Sequence, residues 1–503
     1  MPVSHAAPAA GAARPPQLRR NRALLTMVSM ALAIAAVPYG MGSALSSAAL
    51  YGGGQLSMLA GLLVVLVLDG CVAASLAELA SRFPSSSGVY DWSYRLLASP
   101  KPGRPAAAAA PLAYITGWCW LVGHWTVTLS VNFGLASLLA ATVCLYDASW
   151  ADAPAWQLLL VFYAACLATL VLCAAGDPLL PYVDGVAAAW NLFTLVALAA
   201  AVAATAHSGR HPAAVALGHY DGSVSGWGAG FSFFVGLLPP AYTFCAVGMV
   251  ASMAEECAEP AVQVPRAMAL CVPLGGAAAL LFVLPLCFTL PPAAELLAAT
   301  PYGQALPAVL ARVLGSAGAA TAVMALVLGV ALFCSVSITT AASRCTWAFA
   351  RDAGIPLRGV WASTTAGRPL AALGLVTAVE MLLGLVYLGS TSAFTAFVSV
   401  GVMGLAVGYL VPIATSLVMG RREVATARWR LHPVVGGVAN VVAVVWILFE
   451  LVLFSMPQTL PVTPSSMNYA SVVFVGFAVL SAGWYCMAAR RDFKGPSEES
   501  RIN

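Results

Sequence analysis

Six carboxylates stand inside or at the ends of long apolar runs in this sequence. Each belongs to a residue type that can carry a proton or close an ion pair in lipid. Asp69 falls near the middle of one run and Glu78 near its end; Glu380 lies deep in another and Glu450 late in a third. Glu255 and Glu256 stand side by side where a fourth run finishes. An ionised Asp at the centre of a membrane helix costs about 2.5–3.5 kcal/mol on insertion scales, so acids at that depth generally face a partner or a pathway. Asp69 and Glu78 are the candidates for proton coupling or gating, with Glu78 also placed to pair with Arg82. Glu380 and Glu450 are read as peripheral. Glu255 and Glu256 are positioned to meet an arginine on the same side, as a gate or a structural clamp.

A second kind of chemistry comes from backbone that cannot stay helical. VPYGMGS, with Pro38 to Ser43, interrupts the first apolar run, and GLLPPAYTF, Gly236 to Phe244, interrupts the sixth. Proline removes a donor and glycine tolerates non-helical angles. Freed N–H groups can hold a carboxylate and freed carbonyls a cation. Gly40, Met41, Gly42 and Ser43 are the expected donors, and Pro240, Ala241, Tyr242 and Phe244 the facing wall. The third run adds Trp118, Trp120, His124, Trp125, Ser130 and Asn132, with Trp118 and Trp125 on one helical face. Three tryptophans with Tyr242 and Phe244 would make an aromatic wall able to hold an ammonium group by cation–π attraction. Simple packing is the alternative for these rings and for His124. Ser335, Thr339 and Ser343 recur at four-residue spacing and would line the site, or a cation position, unless they bond back to their own helix.

The elements that must position these groups follow from composition. The chain is 61% hydrophobic and 8% charged, with a mean hydropathy of +0.89. No Asp, Glu, Lys or Arg occurs from Ala23 to Leu68, room for two crossings of about 20 residues each and a turn. Twelve spans are expected, near 24–50, 55–80, 111–144, 155–175, 180–206, 231–255, 264–290, 315–344, 367–388, 391–418, 433–455 and 466–489. Walking the loops alternately puts all but Arg210 and Arg312 of the 23 Lys and Arg residues on one side. Basic residues stay in the cytoplasm, so both termini are expected there and the 207–230 loop outside. The expected organisation is a disordered tail at 1–22, a transmembrane domain at 23–489 and a cytoplasmic tail at 490–503. Within that domain, a first repeat covers about 24–206, a second about 231–418 and two additional helices about 433–489. Breaks at the first span of each five-span set point to inverted repeats with a site at the membrane midplane. The connection from Ser81 to Pro111 begins with aromatics among polar residues, as an interfacial helix would. The twelve cysteines contain no CxxC pair and are read as core fillers, with no metal or other cofactor implied. Scattered basic residues exclude a nucleic-acid surface.

Three segments resemble a known group. ASMAEECAEPAVQVPRAM (Ala251 to Met268), ITTAASRCTWAFARDAGIP (Ile338 to Pro356) and SLAELASRFPSSSGVYDW (Ser75 to Trp92) are similar to the ends of spans 6, 8 and 2 of amino acid/polyamine/organocation permeases. GLLPPAYTF and GWCWLVGHWTVTLSVNFG further resemble the fungal branch that includes choline and γ-aminobutyrate permeases. The resemblance implies an all-α membrane protein with the five-plus-five inverted-repeat fold of the bacterial leucine transporter plus two helices. Many relatives carry an acid and a histidine shortly before the Glu-Glu pair; here Cys245 to Ser252 has neither. Span 5 also lacks the lysine that replaces a sodium ion in some relatives, and Asp184 lies near its start.

The expectation is therefore a secondary transporter that imports a small amine-bearing solute by alternating access, with a proton as partner ion. Its setting is the plasma membrane, with the vacuolar membrane as the alternative. A six-plus-six carrier of the major facilitator type competes on span count but does not explain the paired breaks. A multi-span membrane enzyme would need a nucleophile–base or metal signature, and a channel would need rings of charge or carbonyl groups. No GxxxxGK[ST] is present for ATP.

Overall fold

A computed structural model describes residues 20, 22–98, 109–176, 179–207, 209–298, 300–464 and 466–496. Most of the expected N-terminal tail, the linker at 99–108 and the last residues of the C-terminal tail lie outside this set. The described chain is helical throughout, with no β-strand beyond isolated bridges between Arg22 and Cys257 and between Thr365 and Arg368. Among the described residues, 12 helices are long and apolar enough to cross a membrane. They are spans 1 to 12: Leu24–Ser43, Gln55–Arg82, Ala109–Val143, Ala155–Gly176, Leu180–Thr205, Gly230–Glu256, Pro260–Thr289, Ala317–Arg351, Leu370–Gly389, Ser399–Val418, Pro433–Leu453 and Ala470–Met487. The protein is an integral, multi-pass membrane protein.

Burial separates a central set from a shell. The apolar windows of spans 6, 1 and 3 are 78%, 72% and 72% buried, whereas that of span 12 is 11% buried. Leu160 and Leu172 of span 4, Val186 and Val196 of span 5 and Val441 and Val445 of span 11 turn outward, where acyl chains replace water as solvent. Spans 3 and 10 cross without intervening side chains. A Cβ on Gly123 would lie 2.7 Å from Leu405 N, and one on Gly404 would lie 2.8 Å from Cys119 O. Small residues permit such close crossings in membranes, where dispersion and polar contacts drive helix association.

Spans 1 and 6 depart from a continuous α-helix. In span 1 the break falls at Ala36 (φ 43°, ψ 50°), between half-helices Leu24–Ala35 and Val37–Ser43. This corrects the expected position at Gly40–Ser43. Pro38 occupies the first turn of the second half-helix, where its missing N–H removes no bond. Gly40 is already bonded, donating its N–H to Ala36 O at 2.8 Å. Span 6 is α-helical over Ala229–Val235 and Leu238–Phe244, then narrows to a 3-10 helix over Cys245–Glu256. Its departure from α geometry is therefore longest beyond Phe244. The two half-helices do touch: a Cβ on Gly40 would sit 2.7 Å from Thr243 Oγ1.

The segment after span 2 also differs from its expected surface role. Helix Val89–Ala98 buries Val89, Tyr90, Asp91, Trp92 and Ser93. It packs along spans 3 and 10.

Candidate functional site

A cavity of about 210 Å³ lies between spans 1, 3, 6, 10 and 11. Tyr39, Phe133, Tyr242, Tyr302 and Phe454 supply aromatic faces. Ser43, Ser47, Ser130, Ser137 and Ser399 supply hydroxyls, and Gln304, Gln458 and Asn468 supply amides. Among its described lining residues none carries a charge. Tyr242 is held by its hydroxyl, 2.6 Å from Ser130 Oγ, and Tyr39 donates its hydroxyl to Val131 O at 3.0 Å. Such a chamber matches a small solute whose polar groups meet hydroxyls and whose cationic group meets ring faces.

The chamber's rim is formed by connections that follow odd-numbered spans. Gln304 Nε2 donates to Ser137 Oγ at 3.1 Å, Ser46 Oγ to Gly303 O at 2.8 Å, and Tyr302 to Trp150 O. Asn468 Nδ2 donates to Phe454 O at 2.7 Å. These contacts are neutral.

The opposite ends of spans 1 and 6 carry charge. Arg22 places Nη1 2.7 Å from Asp184 Oδ2 and Nε 3.2 Å from Glu256 Oε2. Glu256 also accepts from Arg344 Nε at 2.8 Å, and Ser337 donates to Asp184 Oδ1 at 2.8 Å. Glu255 receives two bonds of 3.0 Å from Arg351. Spans 1, 5, 6 and 8 are thus joined through a few charged groups. The expected gate or clamp at Glu255 and Glu256 has its arginines, but one is a surprise: Arg22, read as the last residue of a disordered tail, is 2% exposed.

A family model for amino acid permeases matches residues 25–478. The chain belongs to the amino acid permease family. It is a permease, not an enzyme. The amino-acid permease BAT1 homolog of Oryza sativa subsp. japonica is 30% identical over 495 residues, covering 95% of this chain and 93% of that protein. The choline transporter of Saccharomyces cerevisiae is 26% identical over 483 residues, covering 96% and 84%. The GABA-specific permease of the same yeast is 25% identical over 492 residues, again covering 96% and 84%.

In this permease the three segments that carry the resemblance meet at the charged end. Ser86 Oγ accepts from Glu255 N at 3.1 Å, while Ser87 and Tyr90 donate to Asp352 Oδ2 at 3.1 and 2.8 Å. The residues after span 2 therefore brace the ends of spans 6 and 8.

Several expected site residues lie away from the chamber. Met41, Pro240 and Ala241 are buried in packing, and a Cβ on Gly42 would meet Leu306 Cδ2 at 2.7 Å. Only Ser43 and Tyr242 of the two break sets line the cavity. The expected tryptophan wall is elsewhere: Trp118 donates to Gly354 O at 3.2 Å, Trp125 to Thr346 Oγ1 at 3.0 Å, and Trp120 packs on His124 and Tyr409. The helical face shared by Trp118 and Trp125 points to span 8. His124 is fully buried, its Nδ1 2.9 Å from Trp120 O and its Nε2 3.4 Å from Ser252 Oγ. A carbonyl only accepts, so Nδ1 carries a proton. Ser335 donates to Asn132 Oδ1 at 2.9 Å, Thr339 Oγ1 is buried without a partner, and Ser343 donates to Thr340 O at 2.7 Å. The hydroxyl stripe therefore does not line the chamber.

The intramembrane acids also sort differently from expectation. Glu78 accepts two bonds of 2.8 Å from Arg421 and one of 2.9 Å from Leu431 N, a fully partnered carboxylate. Arg82 pairs instead with Glu423 at 2.9 Å. Glu380, expected at the periphery, is 1% exposed and accepts from Asn132 Nδ2 at 2.7 Å. Asp69 accepts from Trp446 Nε1 at 2.7 Å, and Glu450, also expected at the periphery, is buried beside it. Tyr39, Gln304, Arg22 and the Glu450 partnership were missed because each is defined by contacts between distant segments.

Proposed function

We propose that this permease is a secondary transporter that imports a small amine-bearing solute by alternating access, driven by protons. The carrying observation is the uncharged chamber of aromatic, hydroxyl and amide groups, with the Arg22–Glu256–Arg344 cluster at the other ends of spans 1 and 6. With the basic loops in the cytoplasm, the cluster is the inner gate, the chamber faces outward and both termini are cytoplasmic. Spans 1–5 and 6–10 then form inverted repeats whose broken first helices meet beside the solute, with spans 11 and 12 added outside them. The plasma membrane is the assigned location.

The relatives named for amino acids, choline and γ-aminobutyrate support an amine as cargo. Aromatic faces around the chamber support it independently, each ammonium contact contributing about 0.5–2 kcal/mol. Uptake in a transporter-deficient host, with choline, γ-aminobutyrate, spermidine and alanine at varied pH, tests this reading. Saturable uptake of one of them, rising as external pH falls, is expected. Uptake confined to an anion or sugar, or a strict sodium requirement, would overturn it.

A further inference from the structure

Behind the span 6 break lies a second, much smaller cavity of about 10 Å³. Asp69 of span 2 and Glu450 of span 11 both line it and are 5% and 6% exposed. Asp69 Oδ1 is taken by Trp446 Nε1, but Asp69 Oδ2 is buried with no hydrogen-bond partner. The other titratable groups lining the cavity are the Cys245 thiol of span 6 and the Tyr409 hydroxyl of span 10. The remainder is Phe244 with valine and alanine side chains, and among the described lining residues there is no Arg, Lys or His. Span 7 packs along span 2, and a Cβ on Gly70 would meet Val272 Cγ1 at 4.0 Å.

Two carboxylates enclosed together without a cation cannot both stay ionised at tolerable cost, because burial and mutual repulsion act in the same direction. One proton removes the repulsion and one of the two burial penalties: it neutralises one acid and gives the remaining carboxylate a donor. The cavity has room for about one water-sized occupant, and such an occupant could also bridge the pair.

Position makes the pair more than a buried curiosity. Phe244 and Cys245 line this cavity, while Tyr242 of the same span lines the solute chamber. Likewise Glu450 faces this cavity and Leu453, one turn along span 11, faces the chamber. Tyr409 donates to Cys245 O at 2.9 Å and accepts from Gly248 N at 3.2 Å, tying span 10 to the segment where span 6 loses α geometry.

We propose that Asp69 and Glu450 together hold one exchangeable proton, and that spans 6 and 11 couple its presence to the solute chamber. The coupling step rests on the proton-driven reading above; the proton site itself does not.

The two parts are tested separately. Infrared spectra of the purified full-length protein should contain a protonated-carboxyl band at neutral pH that diminishes in alkali and is lost from Asp69→Asn/Glu450→Gln. Identical carboxyl regions in the wild type and this double variant would overturn the site. If the double variant does not fold, each single variant should shift the pH at which the band titrates, and two unshifted titrations would overturn it equally. For coupling, proteoliposomes are loaded in turn with choline, γ-aminobutyrate, spermidine and alanine. Either single variant should retain exchange of the transported solute yet lose at least about tenfold of its acid-stimulated accumulation. Accumulation and proton co-movement at wild-type levels in both variants would sink the coupling claim. Wild-type transport without proton movement would instead sink the proton-driven reading, while the infrared result still decides the site.

Discussion

Arg22 and Glu256 are joined twice. Arg22 donates its backbone N–H to Glu256 O at 3.0 Å and its Nε to Glu256 Oε2 at 3.2 Å. The carbonyl of Arg22 in turn accepts from Ala258 N at 3.1 Å. The start of span 1 is thus stitched to the end of span 6 through main chain and side chain together. Separation of these two ends requires loss of both kinds of contact.

Arg22→Ala should open that end. Removing one member of a buried ion pair costs about 3–5 kcal/mol because its partners are left uncompensated; here those partners are Asp184 and Glu256. Cys345, 1% exposed and next to Arg344, is a native reporter. Its alkylation in inside-out vesicles should accelerate at least about tenfold in Arg22→Ala, while accumulation of solute falls. An unchanged alkylation rate would refute the gate.

Glu78→Gln tests the opposite assignment. Glu78 is held by Arg421 and by Leu431 N, so its carboxylate serves as an anchor. The variant should melt at lower temperature but keep the wild-type pH dependence of uptake. A flattened pH profile would return Glu78 to the coupling pathway.

Tyr242→Phe should act on affinity. It removes the 2.6 Å bond to Ser130 but keeps the ring. Losing one such bond destabilises the fold by about 0.5–1.5 kcal/mol and frees the ring to leave its place on the chamber wall, so the KM for solute should rise. Trp125→Ala should leave KM unchanged and lower thermal stability, since Trp125 bonds Thr346 away from the chamber.

What could be read ahead of the structure was what local composition determines. A stretch without charge from Ala23 to Leu68 must become spans 1 and 2, and the structure has helices at Leu24–Ser43 and Gln55–Arg82. Pro38 and Pro239 announced irregular helices, but the first bend settled at Ala36, an alanine whose residue type gives no sign of a left-handed conformation. Helix periodicity put Trp118 and Trp125 on one face; which neighbour that face met was set by packing against span 8. The ion pairs were illegible for the same reason. Arg22 and Asp184 are 162 residues apart, and Asp69 and Trp446 are 377 apart, so only the folded bundle defines them as partners.

Gly248→Ala probes the contact between span 10 and the 3-10 segment of span 6. A Cβ on Gly248 would lie 2.4 Å from Tyr409 Cε1, too close for the ring to remain in place. Displacing the ring also breaks its bonds to Cys245 O and Gly248 N. Tyr409→Phe removes those two bonds without the collision, which separates the steric from the polar contribution. Both variants should slow transport, with Gly248→Ala the more severe and the less thermally stable. Solute affinity should change less than turnover, because neither residue lines the chamber. Uptake at wild-type rates in Tyr409→Phe would mean that its hydroxyl does not govern the movement of span 6.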